Sequence, residues 1–430
     1  MRKFWKWLLL PCLVGSVASA EPNRKLTLTQ TVEAAIDASP RLRAARARQE
    51  AAAHTTDSAR GRMLPLVHVS DEQQHFDSPF SIPFGAQSVV ARDVNTNTFS
   101  VALNQPLVGL ARLNEDHEAL SDSADSAAKQ VKALESGIRE SVHSQYLRLF
   151  EALATVDIAR SSQTQLKEQI GIAQSRLNAG VLTNADVLRV QVALANAQQQ
   201  EIQANTAEQI ARAALFDALG LPPDDATVDF IEPNEQEMAA GPVPSLTDAV
   251  MVAEKNRPEI QSARFEVSAA AHRSKARLFN LLPELSIEAA YAHITGQIFA
   301  PANQAYLGLK LDWNIWESGT SWYARKAAES NAAAADADAL YTRQQIGLDV
   351  STKLAQGRSA ANAVDVAKTA ITSAEEAYRV TNALVQAGSA TTTDLLDAQS
   401  ALTQSKLNLV RARYEQAIVN VSIQRAMGRL

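Results

Sequence analysis

Residues 28–65 and 246–283 align without a gap at a constant shift of 218, with 13 identities in 38 positions. Pro40 falls on Pro258, His54 on His272, and Leu64-Pro65 on Leu282-Pro283. From about position 101 the shift becomes 208 and holds to the end, where Gly180 meets Gly388, Asp186 meets Asp394, Gln191 meets Gln399 and Gly220 meets Gly428. The ten-residue difference falls between about 76 and 99, where the first half carries the longer loop FDSPFSIPFGAQSVVARDVNT. A fixed offset across half a chain, with its indel in one loop, marks a duplication whose period is too long for a solenoid. The chain therefore reads as two copies of one unit, 21–220 and 245–430, joined by 221–244. That joint holds five prolines and six acidic residues with no basic one, and reads as an extended surface connector.

Each copy follows the same order. A short helix over about 28–38 ends at a proline, and a second runs to the Leu-Pro at 64–65. Two strands follow. In 306–316, Leu307, Leu309, Leu311, Trp313 and Ile315 alternate with Gly308, Lys310, Asp312 and Asn314; in 284–293, Leu285, Ile287, Ala289 and Tyr291 oppose Ser286 and Glu288. Phe99, Val101 and Leu103 alternate likewise in the first copy, while 66–75 is the weaker strand pattern. Proline-free stretches at about 112–178 and 320–386 then span about 67 residues each, or about 100 Å as helix. A glycine corner follows, and then a helix of about 35 residues with a narrow seam of small apolar positions: Leu395, Ala398, Leu402, Ser405, Leu409 in one copy, Val187, Val190, Leu194, Ala197, Glu201 in the other.

The first twenty residues, MRKFWKWLLLPCLVGSVASA, join a basic start (Arg2, Lys3, Lys6) to a short Leu-rich run and an Ala18-Ser19-Ala20 cleavage site. They read as a secretory signal peptide, 1–20, with the mature chain starting near Glu21. Cys12, the sole cysteine, would leave with it, so neither disulfides nor thiol chemistry is expected afterwards. Removal leaves 38 Lys+Arg against 47 Asp+Glu, a net of about −9, which argues against nucleic acid as partner. No later run approaches the ~18 apolar residues of a membrane helix, yet short alternating strands leave a β-barrel open.

Four amphipathic strands cannot close a barrel, and an open edge in lipid leaves backbone groups unpaired. Either several chains pool their strands, three of them giving twelve, or the strands form a soluble subdomain capping a helical rod. At this point the residues match a family. The signal peptide, the duplicated helix–strand–strand–helix–corner–helix unit, the Leu-Pro before each first strand and two G-x-x-T-x-x-D corners resemble the TolC family of outer-membrane efflux proteins, over essentially the whole mature chain. The resemblance implies a mainly α fold with a small β part: a homotrimer whose strands form a twelve-stranded transmembrane barrel in the outer membrane, continued by a long α-helical coiled-coil barrel through the periplasm. It also implies a periplasmic adaptor (membrane fusion) protein and an inner-membrane pump as partners, in tripartite efflux or type I secretion.

The corners then resemble the family's periplasmic tips. The first, Gly180-Val181-Leu182-Thr183 with Asp186, resembles the motif that meets the adaptor; Gly388 and Thr391 form the second. Glycine permits the positive φ that ends one helix, a Thr three residues on can cap the next, and an Asp in its first turn suits the helix dipole. Plain turn chemistry would ask for the same residues. Asp394 and Asp397 match the family's gate aspartates: three apart, they share one helix face, and threefold symmetry would gather rings of carboxylates suited to cations. A solvated helix face is the other reading. Asp186 has no second carboxylate, because Arg189 stands where the other copy has Asp397 and can pair with it. Family members with a charged latch carry Arg where this chain has Ala390, so the closed state must be held differently.

Other residues say less. His54 and His272 lack a second ligand at metal-binding spacing and read as buried or solvated histidines. Trp313, Trp316 and Trp322 either girdle a membrane interface or simply pack. No phosphate loop, nucleophile elbow or HExxH is present, so no enzyme and no cofactor is expected. The competing function is a soluble periplasmic coiled-coil adaptor or scaffold, although such a protein usually shows one helical hairpin rather than two equal copies.

Overall fold

The structure is a computed structural model that describes residues 24–223, 228–239 and 241–430. The expected signal peptide, 1–20, with Cys12 and the mature start at Glu21, lies outside the described residues. In chain order the elements are β1 (Arg24–Leu26), α1 (Leu28–Ala38), α2 (Pro40–Gly61), β2 (Leu66–His75), β3 (Phe80–Phe84), β4 (Gln87–Pro106), α3 (Gly109–Asn178) and α4 (Asn184–Ala218). The second copy follows as β5 (Val228–Phe230), α5 (Glu235–Met238), α6 (Leu246–Asn256), α7 (Pro258–Phe279), β6 (Glu284–Gln297), β7 (Asn303–Asp312), α8 (Thr320–Gln386) and α9 (Thr392–Ala426). The long helices hold 70 and 67 residues, and each last helix holds 35.

Punctuation explains the short helices. Thr27 caps α1 in a reciprocal box with Gln30, and Pro40 and Pro258 open α2 and α7, where a missing N–H costs no helix bond. The described residues within 1–39, 138–241 and 359–421 form one compact unit, and those within 40–137, 242–358 and 422–430 form the other.

In the first unit a fully buried Tyr146 packs on Phe150 at 5.2 Å and edge-on to Phe230 at 5.9 Å. Its hydroxyl donates toward the carbonyls of Leu26 and Ile231. Phe230 belongs to β5, which pairs in parallel with β1. The segment expected to be an extended surface connector thus contributes a strand and the short helix α5. Val228 and Phe230 flank Asp229 in a three-residue alternation too short to stand out among the surrounding prolines and acids.

The second unit holds an open antiparallel sheet in the order β2-β4-β6-β7, with β3 added on β4. Register places Val69, Val101, Tyr291 and Ala305 side by side, and Val67, Leu103, Ala289 and Leu307 in the next row of the same face. Leu307, Leu309 and Leu311 on that face are exposed. The opposite face is polar and cross-linked: Ser70 and Ser100 hydroxyls meet at 2.8 Å, and Glu288 accepts from Asn104 at 3.2 Å and pairs with Lys310 at 3.5 Å.

Three details depart from expectation, and one weak expectation holds. The described residues hold seven strands rather than four. The longer first-copy loop is a hairpin, β3 turning at Gly85-Ala86 into an extended β4, with Gly85 at φ 64°. The weak 66–75 pattern is a full ten-residue strand, supported by backbone pairing more than by its mostly polar side chains. The strand expected to reach Trp316 ends at Asp312, opposite Glu284; the preceding Pro283 has no N–H with which to extend the ladder.

Candidate functional site: the two helical corners

Both corners lie within the first unit. Helix α3 ends in a Schellman motif: Gly180 N donates to Leu177 O at 2.9 Å and Val181 N to Arg176 O at 2.9 Å, with Gly180 at φ 73°. Helix α8 ends the same way, Gly388 N donating to Val385 O at 3.2 Å and Ser389 N to Leu384 O at 2.8 Å, with Gly388 at φ 76°. The positive φ is why both positions are glycine. No neighbouring atom lies within 4 Å of a Cβ built at either one, so the constraint is on the backbone alone.

Each outgoing helix begins with a reciprocal cap. Thr183 N and its hydroxyl donate to Asp186 Oδ2 at 3.1 and 2.7 Å, and Asp186 N donates back to the hydroxyl at 3.4 Å. Thr391 and Asp394 repeat this at 2.8, 2.7 and 3.2 Å. Asp at the third helical position here takes the place usually given to Glu or Gln in a capping box. The Thr hydroxyl, then the Thr N–H, holds each carboxyl below the usual carboxylate range, and Arg189 adds a smaller pull on Asp186. Both groups stay charged into mild acid. Asp397 lies exposed one turn beyond Asp394 on the same helix.

Arg189 pairs with Asp186 at 3.3 Å, as its position suggested, and the same Nη1 donates to Thr393 Oγ1 at 3.4 Å. Arg176 Nη1 donates to Val385 O at 3.2 Å, a second bond to a carbonyl that already accepts from Gly388 N at the end of α8. Two arginines of the first corner therefore tie it to the second. Sequence reasoning missed this bridge. The signal was charge without a repeat mate: Arg176 corresponds to Leu384 and Arg189 to Asp397. Behind the corners, Leu166, Ala173, Val187, Val190 and Ala197 form a buried cluster against which Leu182 and Leu396 pack. Val181 points outward, 70% exposed. Gln399 is 3% exposed and donates to Gln165 at 3.4 Å, whereas its mate Gln191 is exposed.

Elsewhere, His272 is half-buried with Nδ1 2.6 Å from Glu115 Oε2, and His54 is exposed 3.8 Å from Glu50. Among the described residues no group of three or more metal-ligating side chains occurs, and no helix is long and apolar enough to cross a membrane.

This arrangement of duplicated long helices, open sheet and paired corners is shared with solved channel proteins. The structure of the outer membrane protein VceC from Vibrio cholerae superposes with a TM-score of 0.82 at 17% identity, covering 93% of this chain and 96% of that one. The alkaline protease secretion protein AprF of Pseudomonas aeruginosa is 24% identical over 429 residues, covering 96% of this chain and 86% of AprF. The outer membrane protein TolC of Escherichia coli is 22% identical, covering 98% and 86%. The outer membrane efflux protein family matches residues 31–221 and 250–429, and the chain belongs to it. That family consists of channel-type proteins, not enzymes.

Proposed function

We propose that this chain is the outer-membrane exit duct of a tripartite efflux or type I secretion system. It would mature by loss of 1–20 and assemble as a homotrimer spanning from the outer membrane into the periplasm. The observation that carries the reading is the open sheet: β2 and β7 each have one paired side, and one sheet face is apolar and exposed. In lipid such edges must be paired, and three copies of β2, β4, β6 and β7 give twelve strands, an even number within the range of outer-membrane barrels. The corner residues Gly180, Val181 and Thr183, exposed, and Asp186, half-buried, with Gly388 and Thr391, are the surface offered to a periplasmic adaptor and, through it, an inner-membrane pump. Asp394 and Asp397 form the pore constriction, a double ring of carboxylates selecting cations. Membrane fractionation with native mass measurement tests the assembly. Heat-modifiable trimers in the outer membrane that conduct in planar bilayers support it; a soluble periplasmic species, or a monomer that still conducts, overturns it.

A further inference from the structure

Helices α3 and α7 run antiparallel, one leading away from β4 and the other into β6, the two strands paired at the centre of the sheet. Where they touch, the buried Ser126 and Ser262 hydroxyls lie 2.9 Å apart, and Gln130 donates to Ser126 Oγ at 3.3 Å. Nearer the sheet, Glu115 Oε2 lies 2.6 Å from His272 Nδ1. Between these contacts each helix carries a buried alanine, Ala119 and Ala269, 2% and 0% exposed. The duplication gives every one of these residues a mate. Helix α8 repeats α3 and α2 repeats α7, just as the edge strands β7 and β2 repeat β4 and β6. Ala334 stands for Ser126, Ala44 for Ser262, Ala327 for Ala119, Ala51 for Ala269, Tyr323 for Glu115 and His54 for His272, and all six mates are exposed in one chain.

The seam that is filled between α3 and α7 is thus open along α8 and along α2. A head-to-tail contact of α8 with α2 of another copy closes both, and repeated around a rotation axis it gives a ring. A charge is added to this seam that the first lacks. Gln130 and Glu259 stand four and three residues from the Ser126–Ser262 contact, both on the side away from the sheet, and their mates are Asp338 and Arg41. Arg41 and Asp338 are exposed, and neither has an ion-pair partner among the described residues. We infer that α2 packs on the partner subunit's α8 in the register of the α3–α7 seam, and that Arg41 pairing with the partner subunit's Asp338 selects that contact. This rests on the channel reading above. Selection is needed because α7 is a copy of α2 and offers α8 a similar backbone. At the position of Arg41, however, α7 has Glu259, already held by Arg257 at 2.9 Å, so it presents Asp338 with no cation. Opposite charge on one of two similar helices fixes which of them is accepted.

The sole cysteine lies in the expected signal peptide, so Ala44→Cys combined with Ala334→Cys places the only thiols of the mature chain at the seam. Oxidation of this variant in outer membranes should give covalent dimers and trimers on non-reducing gels, and neither single cysteine variant should. Arg41→Glu or Asp338→Arg, each added to the cysteine pair, should lower the cross-linked fraction several-fold, and both reversals together should restore it. No cross-link in trimers that conduct overturns the seam and leaves the channel intact. A cross-linked fraction indifferent to either reversal, or not restored by the two combined, overturns the charge pair. A parent chain that forms neither trimers nor conducting channels overturns the channel reading, and the seam with it.

Discussion

At the first corner the Asp186 carboxylate is held by the Thr183 cap and by Arg189; at the second, Asp394 has the same Thr cap, and the place of Arg189 is taken by Asp397. The backbones of the two corners are nearly interchangeable, down to the Schellman bonds and the positive φ of Gly180 and Gly388. The charges are not. One corner neutralises its carboxylate and reaches across to its neighbour through Arg176 and Arg189; the other concentrates carboxylates and accepts those bonds. Duplication supplied one rigid turn twice, and divergence at two side-chain positions separated a fastening corner from a charged one.

The largest effect should come from breaking what the corners share. Gly180→Val or Gly388→Val forces a β-branched residue into a left-handed conformation, at a cost of about 1–2 kcal/mol. Efflux is expected to collapse while trimer abundance and membrane insertion stay near normal, because open space surrounds both glycines. Folded protein disappearing in step with efflux would make the glycines structural only.

A smaller effect sharpens the comparison through pH. The Thr391 hydroxyl is the first cause holding Asp394 below the usual carboxylate range, so its charge survives into acid and is lost only as pH falls through that depressed value. Thr391→Val removes the hydroxyl, and Asp394 then protonates at higher pH. Cation block of the channel should therefore fade earlier on acidification in Thr391→Val than in the parent. Thr183→Val should leave that profile unchanged. Coincident profiles for Thr391→Val and the parent would take Asp394 out of the pore.

Arg189→Gln should act most weakly. Its side chain is exposed, and such pairs contribute about 0–1 kcal/mol. Stability should be unchanged, but losing the bond to Thr393 should raise mean conductance modestly in single-channel records, more so at low salt. Unaltered conductance would mean that Arg189 does not restrain the second corner.

Much of this was readable before any coordinates. Helix ends were marked by glycine and proline, whose effects are local, so α8 was expected at 320–386 and found there. The caps were readable too, because Thr-x-x-Asp acts over three residues. What escaped was non-local. Whether β7 extends to Trp316 depends on Pro283 in its partner, the connector's strand depends on Arg24–Leu26 two hundred residues away, and the Arg176 and Arg189 bonds cross between copies. Identity between repeat mates does not fix environment either: Gln191 is exposed, while Gln399 is buried against Gln165.

The division between the corners is tested most directly by trivalent-cation block of the reconstituted channel. In the proposed trimer six carboxylates would converge in one constriction and bind a trivalent ion through their summed field. Asp394→Asn combined with Asp397→Asn keeps the shape and removes the charge, so block should be abolished and cation preference reduced with the fold unchanged. Asp186→Asn, at the corner where Arg189 already offsets the charge, should leave block nearly as in the parent. Equal loss in both variants, or undiminished block without Asp394 and Asp397, would contradict the assignment of the gate to the second corner.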